Sequence, residues 1–497
     1  VPPALLCETV TGLTTADLVE ARDASAADLV ELRLDGAREI DVAGVLAGRR
    51  RPVVVTCRPT WEGGRFAGSE EERREILGNA LELGADFVDV EWNAHFETLI
   101  ARDPARIVVS MHDFAGVPAD LFARTQAMRA TGAGAIKVAV MTPRLSDTLP
   151  LLDIARGGHA IVIGMGPAGI VTRLLAARFG SQWTYAGAVA PGQIHMDRMV
   201  EEFGFRRTTS GTRVYGIVGG TAAHSLSPAM HNAAFSAAGI DAVYVPLCAA
   251  DFADFETFSA GIGVEGASVT IPFKVDALRA ARHADATAKA VGAANTLRRT
   301  ETGWDATNTD VAGFLSPIVG ELSGSLRGAR ASVLGAGGAA RAVVAALVSR
   351  GARVSVHARR AEQAAAVASE LGATSAPFPP TPGSWDLLVN TTPLGGPARR
   401  DESPLPGGPF GGGLVYDLTY GPGESRLVRE ARAAGCRTLD GLPMLVAQAE
   451  RQFEWWTGRA PVPGVMRAAV ERRTGNEGAP RPRRAVADED PGRQPCA

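Results

Sequence analysis

No stretch of the chain is apolar for long enough to cross a membrane as a helix. The opening VPPALLCETV also lacks the basic segment and apolar core of a secretory signal. Both absences lead us to expect a cytoplasmic protein with no membrane partner. Cysteine is scarce and scattered: Cys7, Cys57, Cys248, Cys436 and Cys496 are the five in 497 residues. They form no CxxC pair and no metal-ligand spacing, so no metal centre is expected, and the odd, dispersed set suits reduced thiols. Charge of one sign is missing too. With 51 basic and 54 acidic side chains the formal net charge is −3, and no broad basic stripe stands out. That argues against nucleic acid as a partner. What is present is an ordinary globular composition, 46% hydrophobic with 57 glycines. The chain is too long for one core, and two to four domains are expected.

Within residues 1–205, short β-branched runs alternate with stretches rich in Ala, Leu, Arg and Glu at helical period. The runs read ALLCETV, DLVELRLD, RPVVVTCRP, DFVDVEW, RIVVSMHDF, AIKVAVM, HAIVIGMG and WTYAGAV. Eight strands alternating with helices predict a (β/α)8 barrel, whose active site lies at the C-terminal ends of its strands. Side chains alternate faces along a strand. Glu31, Arg33 and Asp35 therefore share a face, as do Thr56 and Arg58, Asp89 and Glu91, and Ser110 and His112. The apolar faces should pack on outer helices and the polar faces should point into the barrel mouth.

The sixth run places Lys137 among apolar residues. Burying an unpaired ammonium is expensive, and a lysine so placed often sheds its proton. The free amine is a nucleophile able to form an imine with a carbonyl. A histidine moves protons, a carboxylate can hold it in one tautomer, and arginines clamp a carboxylate substrate. Together these groups suit elimination or aldol-type chemistry on a keto acid.

Over essentially its whole length this segment resembles the type I 3-dehydroquinate dehydratases, through ELRLD, VTCR, DVEW, SMHDF, IKVAVM, GPAGIVTRLL and APGQI. The resemblance implies that Lys137 forms the imine with the C3 ketone of dehydroquinate. It implies that His112 removes a C2 proton and later protonates the leaving C1 hydroxyl, with Glu91 orienting His112. Glu31, Arg33, Arg58, Arg173 and Gln193 would bind the substrate's hydroxyls and carboxylate, Gln193 from a loop that folds over the site. Val189 stands where bacterial relatives often carry a serine.

Arg and Thr cluster in MDRMVEEFGFRRTTSGTR, which marks a junction near 200–213. Beyond it comes GGTAAHSLSPAMHNAAF, with Ser225 and Ser227 in a turn leading into a helix. Pro228 suits the first helical position with Ser227 as its cap. GASVTIPFK, GAANTL and NTDVAGF then place Lys274, Asn295 and Asp310 near strand ends. A lysine, an amide and a carboxylate could hold a polyol and shuttle a proton. Next, ASVLGAGGAARAVVAALVSRGARVSVHARR reads as strand, Gly-rich turn, helix, strand. Its turn, Gly335, Ala336, Gly337, Gly338 and Ala339, opens a helix whose N-terminus suits a pyrophosphate. The second strand ends in Arg359 and Arg360, with no carboxylate at the tip. Guanidinium groups there favour a 2′-phosphate, hence NADP over NAD.

From roughly 213 to 470 the chain resembles shikimate dehydrogenases, through HSLSPAMHN, VTIPFK, GAANTL, NTDVAGF, GAGGAARAV, VNTTPLG, YDLTYGPGES and DGLPMLVAQA. The resemblance implies that Ser225 and Ser227 bind the substrate carboxylate and that Lys274 and Asp310 are the catalytic pair. Thr270, Asn295 and Gln448 would contact substrate hydroxyls, Asn390 and Thr391 would line the cofactor cleft, and Tyr420 would close over the substrate. Ser268 replaces a frequent asparagine, and Ala358 replaces an arginine common in the cofactor loop. Trp455 and Trp456 are expected to pack rather than bind.

The expected architecture is α/β: a barrel over 1–205, a substrate-binding domain over 213–312 and a Rossmann NADP-binding domain over 313–440. Helices at 441–474 should return to the substrate domain, and a disordered tail should occupy 475–497. The two halves imply consecutive steps, dehydration of 3-dehydroquinate and NADPH-dependent reduction of 3-dehydroshikimate to shikimate. A quinate/shikimate dehydrogenase working with NAD is one rival. A non-catalytic metabolite sensor is another, though a sensor has no need to keep Lys137, His112, Lys274 and Asp310 together. The oligomeric state stays open.

Overall fold

The structure is a computed structural model and describes residues 4–189, 192–220, 222–321, 326–408, 410–421 and 423–478. The chain divides into two compact units, residues 1–214 with 241–263 and residues 215–240 with 264–497.

The first unit contains the expected barrel. Its strands are β1 (Leu5–Thr11), β2 (Leu29–Arg33), β3 (Val53–Thr56), β4 (Phe87–Glu91), β5 (Ile107–Asp113), β6 (Ala135–Met141), β7 (Ala160–Met165) and β8 (Trp183–Ala186). They lie in the order β7-β6-β5-β4-β3-β2-β1-β8, and each pairing is parallel. The seam between β7 and β8 is bridged by Gln182 N–H to the Ala160 carbonyl at 3.0 Å and by Val162 N–H to Ser181 Oγ at 3.1 Å. Runs such as Val53, Val54 and Val55 are buried on both faces because helices cover the outside and neighbouring strands fill the inside. Two of the intervening helices begin at capping boxes, Thr14 with Asp17 before Thr15–Ala24 and Ser69 with Glu72 before Glu70–Glu82.

One close approach shapes the barrel mouth. Gly169 packs on the backbone of Gly164, where a Cβ would sit 2.2 Å from the Gly164 carbonyl carbon. This contact seats the short helix Ile170–Leu174, which carries Arg173. The unit also holds β9 residues up to 214, β10 (Ala242–Leu247) and the helix Phe252–Ile262. β9 itself spans Arg213–Val218.

In the second unit, β11 (Val264–Val269) pairs antiparallel with β13 (Thr296–Thr300), and β13 pairs antiparallel with β14 (Gly303–Thr307). β12 (His283–Ala284) joins β14 in parallel. A parallel sheet follows, made of β15 (Arg330–Leu334), β16 (Arg353–His357), β17 (Thr374–Ser375), β18 (Leu387–Asn390), β19 (Leu414–Asp417) and β20 (Arg437–Leu439). Its order, β17-β16-β15-β18-β19-β20, reverses at β15 and β18, the switch point of a doubly wound nucleotide-binding fold.

The helix Leu442–Thr457 packs on the helix Asp310–Glu321, and the helix Val465–Gly478 packs on Ser227–Ala237. Trp456 donates to the Leu297 carbonyl at 2.9 Å, and Trp455 lies under Arg298, 4.5 Å away. Two local expectations change. The last helix runs to Gly478, four residues into the segment read as tail, and the rest of that segment lies outside the described residues. Ser227 is itself helical rather than the cap, and its N–H is taken by Ser225 Oγ at 3.1 Å.

Gly169→Ala is expected to force backbone apart rather than a flexible side chain, at a cost of about 1–3 kcal/mol. A thermal melt should show a midpoint lowered by several degrees. An unchanged midpoint would mean that the Gly164–Gly169 contact is dispensable.

Candidate active sites

The C-terminal ends of the barrel strands surround a cavity lined by Thr9, Glu31, Arg33, Arg58, His112, Lys137, Arg173, Tyr185 and Gln193. Of the barrel residues expected at the site, Glu91 alone does not line it. Lys137 rises from β6, and its Nζ lies 3.2 Å from Glu31 Oε1 and 3.1 Å from Asp89 Oδ2. The Tyr185 ring sits 4.2 Å from it. Glu31 also accepts from Thr9 Oγ1 at 2.9 Å and Thr56 Oγ1 at 3.0 Å. Arg58 donates to Asp89 at 3.0 Å, to Glu91 at 2.8 Å and to Ser110 Oγ at 2.8 Å. Positive and negative groups thus alternate across the cavity floor.

This alternation sets the ionisation. Burial opposes the charge on Asp89, yet Arg58 and Lys137 hold its carboxyl well below the usual range. Burial likewise opposes the charge on Glu31, and Lys137 and Arg33 outweigh it. His112 responds the other way. Burial, reinforced by the positive charges of Arg58 and Lys137, holds its imidazole well below the ordinary value. His112 is therefore neutral near pH 7, the form a proton acceptor needs.

The expected link from Glu91 to His112 is not there. Glu91 ends β4 inside the barrel wall, where its carboxylate is taken by Arg58 and by the fully buried Arg73. The carboxylate beside His112 is Glu62. Its Oε1 accepts the His112 backbone N–H at 3.0 Å, and its Oε2 lies 3.8 Å from His112 Nδ1. Burial pushes Glu62 up to about 7. Arg33 is clasped by Asp35 through two bonds of 2.8 Å, and Arg173 donates to the Gly164 carbonyl at 2.8 Å. Gln193 reaches Thr9 Oγ1 at 3.3 Å and accepts the Val189 N–H at 2.7 Å, so Val189 contributes its backbone rather than a side-chain hydroxyl.

The second cavity gathers all eight residues expected there: Ser225, Ser227, Thr270, Lys274, Asn295, Asp310, Tyr420 and Gln448. Lys274 Nζ is 2.6 Å from Asp310 Oδ2, and Asn295 Nδ2 donates to Asp310 Oδ1 at 2.8 Å. Thr309 N–H and Thr296 Oγ1 fix the Asn295 carbonyl oxygen, each at 2.8 Å. Ser268 turns to Gln452 at 2.7 Å.

Ala339, in the first turn of the helix Gly338–Ser349, borders this same cavity. Ahead of it, Gly335 has φ +113°, where a Cβ would strike Thr391 Oγ1 at 2.5 Å. A Cβ on Gly337 would meet nothing within 4 Å, so open space faces the helix N-terminus, which no side chain caps. Ala336 completes the turn. Arg359 and Arg360 are exposed beyond the end of β16. These residues fit a dinucleotide with a 2′-phosphate. Asn390 is the exception. It is fully buried, and its amide is used up on Asp417 Oδ1 at 2.9 Å, the Leu394 carbonyl at 3.0 Å and Thr392 N–H at 2.9 Å. It shapes the loop rather than lining the cleft. Thr391 is anchored to the Leu334 carbonyl at 2.7 Å, beside the Gly-rich turn.

Three family models match the chain: type I 3-dehydroquinase over residues 6–209, shikimate dehydrogenase substrate binding domain over 217–297, and shikimate 5′-dehydrogenase C-terminal domain over 441–471. A chloroplastic bifunctional 3-dehydroquinate dehydratase/shikimate dehydrogenase of Arabidopsis thaliana is 33% identical over 469 residues, covering 87% of this chain and 78% of that one. The chain belongs to this bifunctional family. A shikimate dehydrogenase (NADP(+)) of Anaeromyxobacter dehalogenans is 41% identical over 280 residues, 54% of this chain and 99% of its own. A crystal structure of the Thermus thermophilus shikimate 5-dehydrogenase in complex with NADP(H) and shikimate is 37% identical, spans 52% of this chain and 99% of its own, and has a TM-score of 0.47.

In this member of the bifunctional family, two carboxylates beside the first cavity are not singled out by the sequence pattern, and neither are Thr9 and Tyr185 in its lining. Asp89 shares a face of β4 with Glu91, and strand alternation does not say which of the two meets Lys137. Glu62 lies past the end of β3, where strand alternation no longer applies, four residues after Arg58 in CRPTWEGG. That spacing behind a cavity arginine was the available signal.

The raised Glu62 value gives a stability test. Between about pH 4.5, the ordinary glutamate value, and about 7, the folded chain binds a proton that the unfolded chain has released. Stability contributed through Glu62 is therefore present at low pH and lost as pH rises through about 7. The midpoint of Glu62→Gln relative to wild type should climb between pH 5 and pH 8 in calorimetry. A difference that does not change with pH would contradict the assignment.

Proposed function

We propose that the chain converts 3-dehydroquinate to shikimate in two steps, one in each cavity. The observation that carries this reading is the pairing of Lys137 Nζ with Glu31 and Asp89 on the floor of a cavity that also holds a neutral His112. The dehydratase is assigned to residues 1–205. The dehydrogenase is assigned to 213–474, with nucleotide binding at 313–440.

In the first step the Lys137 ammonium passes a proton to a carboxylate beside it, the free amine adds to the C3 ketone, and the ketone oxygen leaves as water with that proton and one from nitrogen, giving an iminium. The iminium keeps the positive charge of the ammonium, so Glu31 and Asp89 remain paired with it. His112 takes the C2 proton, and the C–H electrons move into the iminium to give an enamine. The enamine expels the C1 hydroxyl, which receives its proton from His112. Hydrolysis of the imine releases 3-dehydroshikimate and Lys137, for a net loss of one water. Glu62 holds His112 through its backbone N–H and faces Nδ1 of its ring. Arg33, Arg58, Arg173 and Gln193 bind the substrate's carboxylate and hydroxyls.

In the second step Ser225 and Ser227 hold the carboxylate, and Thr270, Asn295 and Gln448 hold hydroxyls, with Tyr420 beside them. The Gly335–Ala339 turn would hold NADPH, Arg359 and Arg360 would meet its 2′-phosphate, and the bound nucleotide would supply the hydride. Lys274 and Asp310 deliver the proton to the ring oxygen. Asn295 keeps Asp310 aimed at Lys274. The substrates are small molecules, and we place the protein in the cytoplasm with neither membrane nor nucleic acid as a partner. Among the described residues no helix is long and apolar enough to cross a membrane.

Two tests separate the steps. Lys137→Met should abolish dehydration of 3-dehydroquinate, followed by product absorbance, while reduction of 3-dehydroshikimate stays within about twofold of wild type. Lys274→Met should do the reverse. Loss of both activities in either variant would sink the two-site assignment. For the cofactor, Arg359→Ala with Arg360→Ala should raise the NADPH KM by about 10–100-fold, the worth of a charge-assisted contact. The NADH KM should stay near its starting value. Equal shifts for both nucleotides would refute the 2′-phosphate role.

A further inference from the structure

Asp254 is 1% exposed and belongs to neither cavity. It lies on the helix Phe252–Ile262, inside the stretch matched by the shikimate dehydrogenase substrate-binding model, yet this helix sits in the same compact unit as the barrel. Its carboxylate accepts the backbone N–H groups of Leu145 at 2.9 Å, Ser146 at 2.8 Å and Ala250 at 2.9 Å. Two of those donors are barrel residues. At the other end of the helix, Arg178 of the barrel donates to the Ile262 carbonyl at 2.7 Å, and Leu149 packs against Gly261. β10, from the same matched stretch, lies against the helix Ile170–Leu174.

The pinned turn immediately follows the Lys137 strand. β6 ends at Met141, and the buried Thr142 gives both its N–H, at 3.1 Å, and its hydroxyl, at 2.9 Å, to the Met165 carbonyl. Met165 lines the first cavity, and the carbonyl before it, that of Gly164, holds Arg173 Nη1 at 2.8 Å. Hydrogen bonds joined by short backbone segments therefore run from Asp254 through the 142–146 turn to the wall that carries Arg173. A buried carboxylate with three backbone donors tolerates little displacement, so the turn has one arrangement while Asp254 is in place.

We propose that Asp254, supplied by the dehydrogenase half, is a positioning residue of the dehydratase site, fixing the 142–146 turn and with it the Met165–Arg173 wall that grips the substrate. The inference rests on the two-step reading above. It gives the fusion a structural consequence: the first site is completed by sequence belonging to the second enzyme.

The test uses full-length Asp254→Ala and Asp254→Asn. The alanine removes every acceptor, and the asparagine keeps one and the side-chain shape. The dehydratase KM should rise about tenfold in the alanine variant and less in the asparagine variant, because substrate grip rather than chemistry is affected. The dehydratase kcat and both dehydrogenase constants should stay within about twofold. Hydrogen exchange should show lost protection at the Leu145 and Ser146 amides. A residue that matters only for folding would lower kcat through the active fraction and leave KM alone, and that result would overturn the proposal. Wild-type KM despite lost amide protection would overturn it as well. If Asp254→Ala does not fold, Asp254→Asn decides by the same readouts. Failure of the two-step reading looks different, since wild type itself would then show no dehydration.

Discussion

A lysine amine held between two carboxylates inside a barrel is the constraint on which the first half is built. Lys137 is 5% exposed, and the two carboxylates beside it are buried as well. A buried ion pair of this kind adds little stability by itself, because desolvation offsets most of the attraction. Removing one partner is far worse, since it strands a charge. The barrel answers by closing the network. Glu31 is further satisfied by Thr9 and Thr56, Asp89 by Arg58 and Ser110, and Glu91 by Arg58 and Arg73. Each of β1 to β6 contributes at least one member, or sits next to one in the loop that follows. The β/α scaffold is thus committed to holding one amine in place, and burial, reinforced by the same positive charges, keeps His112 neutral beside it.

The second half solves a similar problem with more hydrogen bonds and fewer charges. Among the described residues, Lys274 and Asp310 form the only ion pair between catalytic or substrate-binding groups of that cavity. Asn295, Thr296 and Thr309 immobilise Asp310 from behind, and Gln452 ties Thr296 to Ser268 and His231. The helix Leu442–Thr457, which carries Gln448 and Gln452, closes this network from the far end of the sequence. Burial lowers His231 to about 3, so that ring is a neutral packing element rather than a proton carrier.

Much of this was legible because the signals are local. The barrel strands announce themselves as apolar runs interrupted on one face, and the Gly-rich turn announces a nucleotide. Composition carried a further signal that periodicity does not use. Of 51 basic residues only Lys137, Lys274 and Lys289 are lysines. Arginine serves wherever a positive charge suffices, whereas an imine requires a primary amine that a guanidinium cannot supply. Two of the three lysines stand at the two proposed reaction centres. What stayed hidden depends on contacts between distant elements. Glu62 reaches His112 from a loop fifty positions away, so the nearer-looking Glu91 was favoured, although two arginines claim it. Asn390 looked like a cleft residue because it ends a strand at the switch point, but its amide is spent on its own loop. Asp254 reads as an ordinary helix acid until the barrel turn it anchors is seen.

The central claim, that Lys137 is the imine-forming group, has a direct test. The intact protein would be mixed with 3-dehydroquinate, reduced with borohydride, digested, and its peptides weighed. The account predicts one reduced adduct, confined to the peptide that contains Lys137 and absent when substrate is omitted. An adduct on the peptides of Lys274 or Lys289, or turnover of 3-dehydroquinate with no trappable adduct, would contradict it.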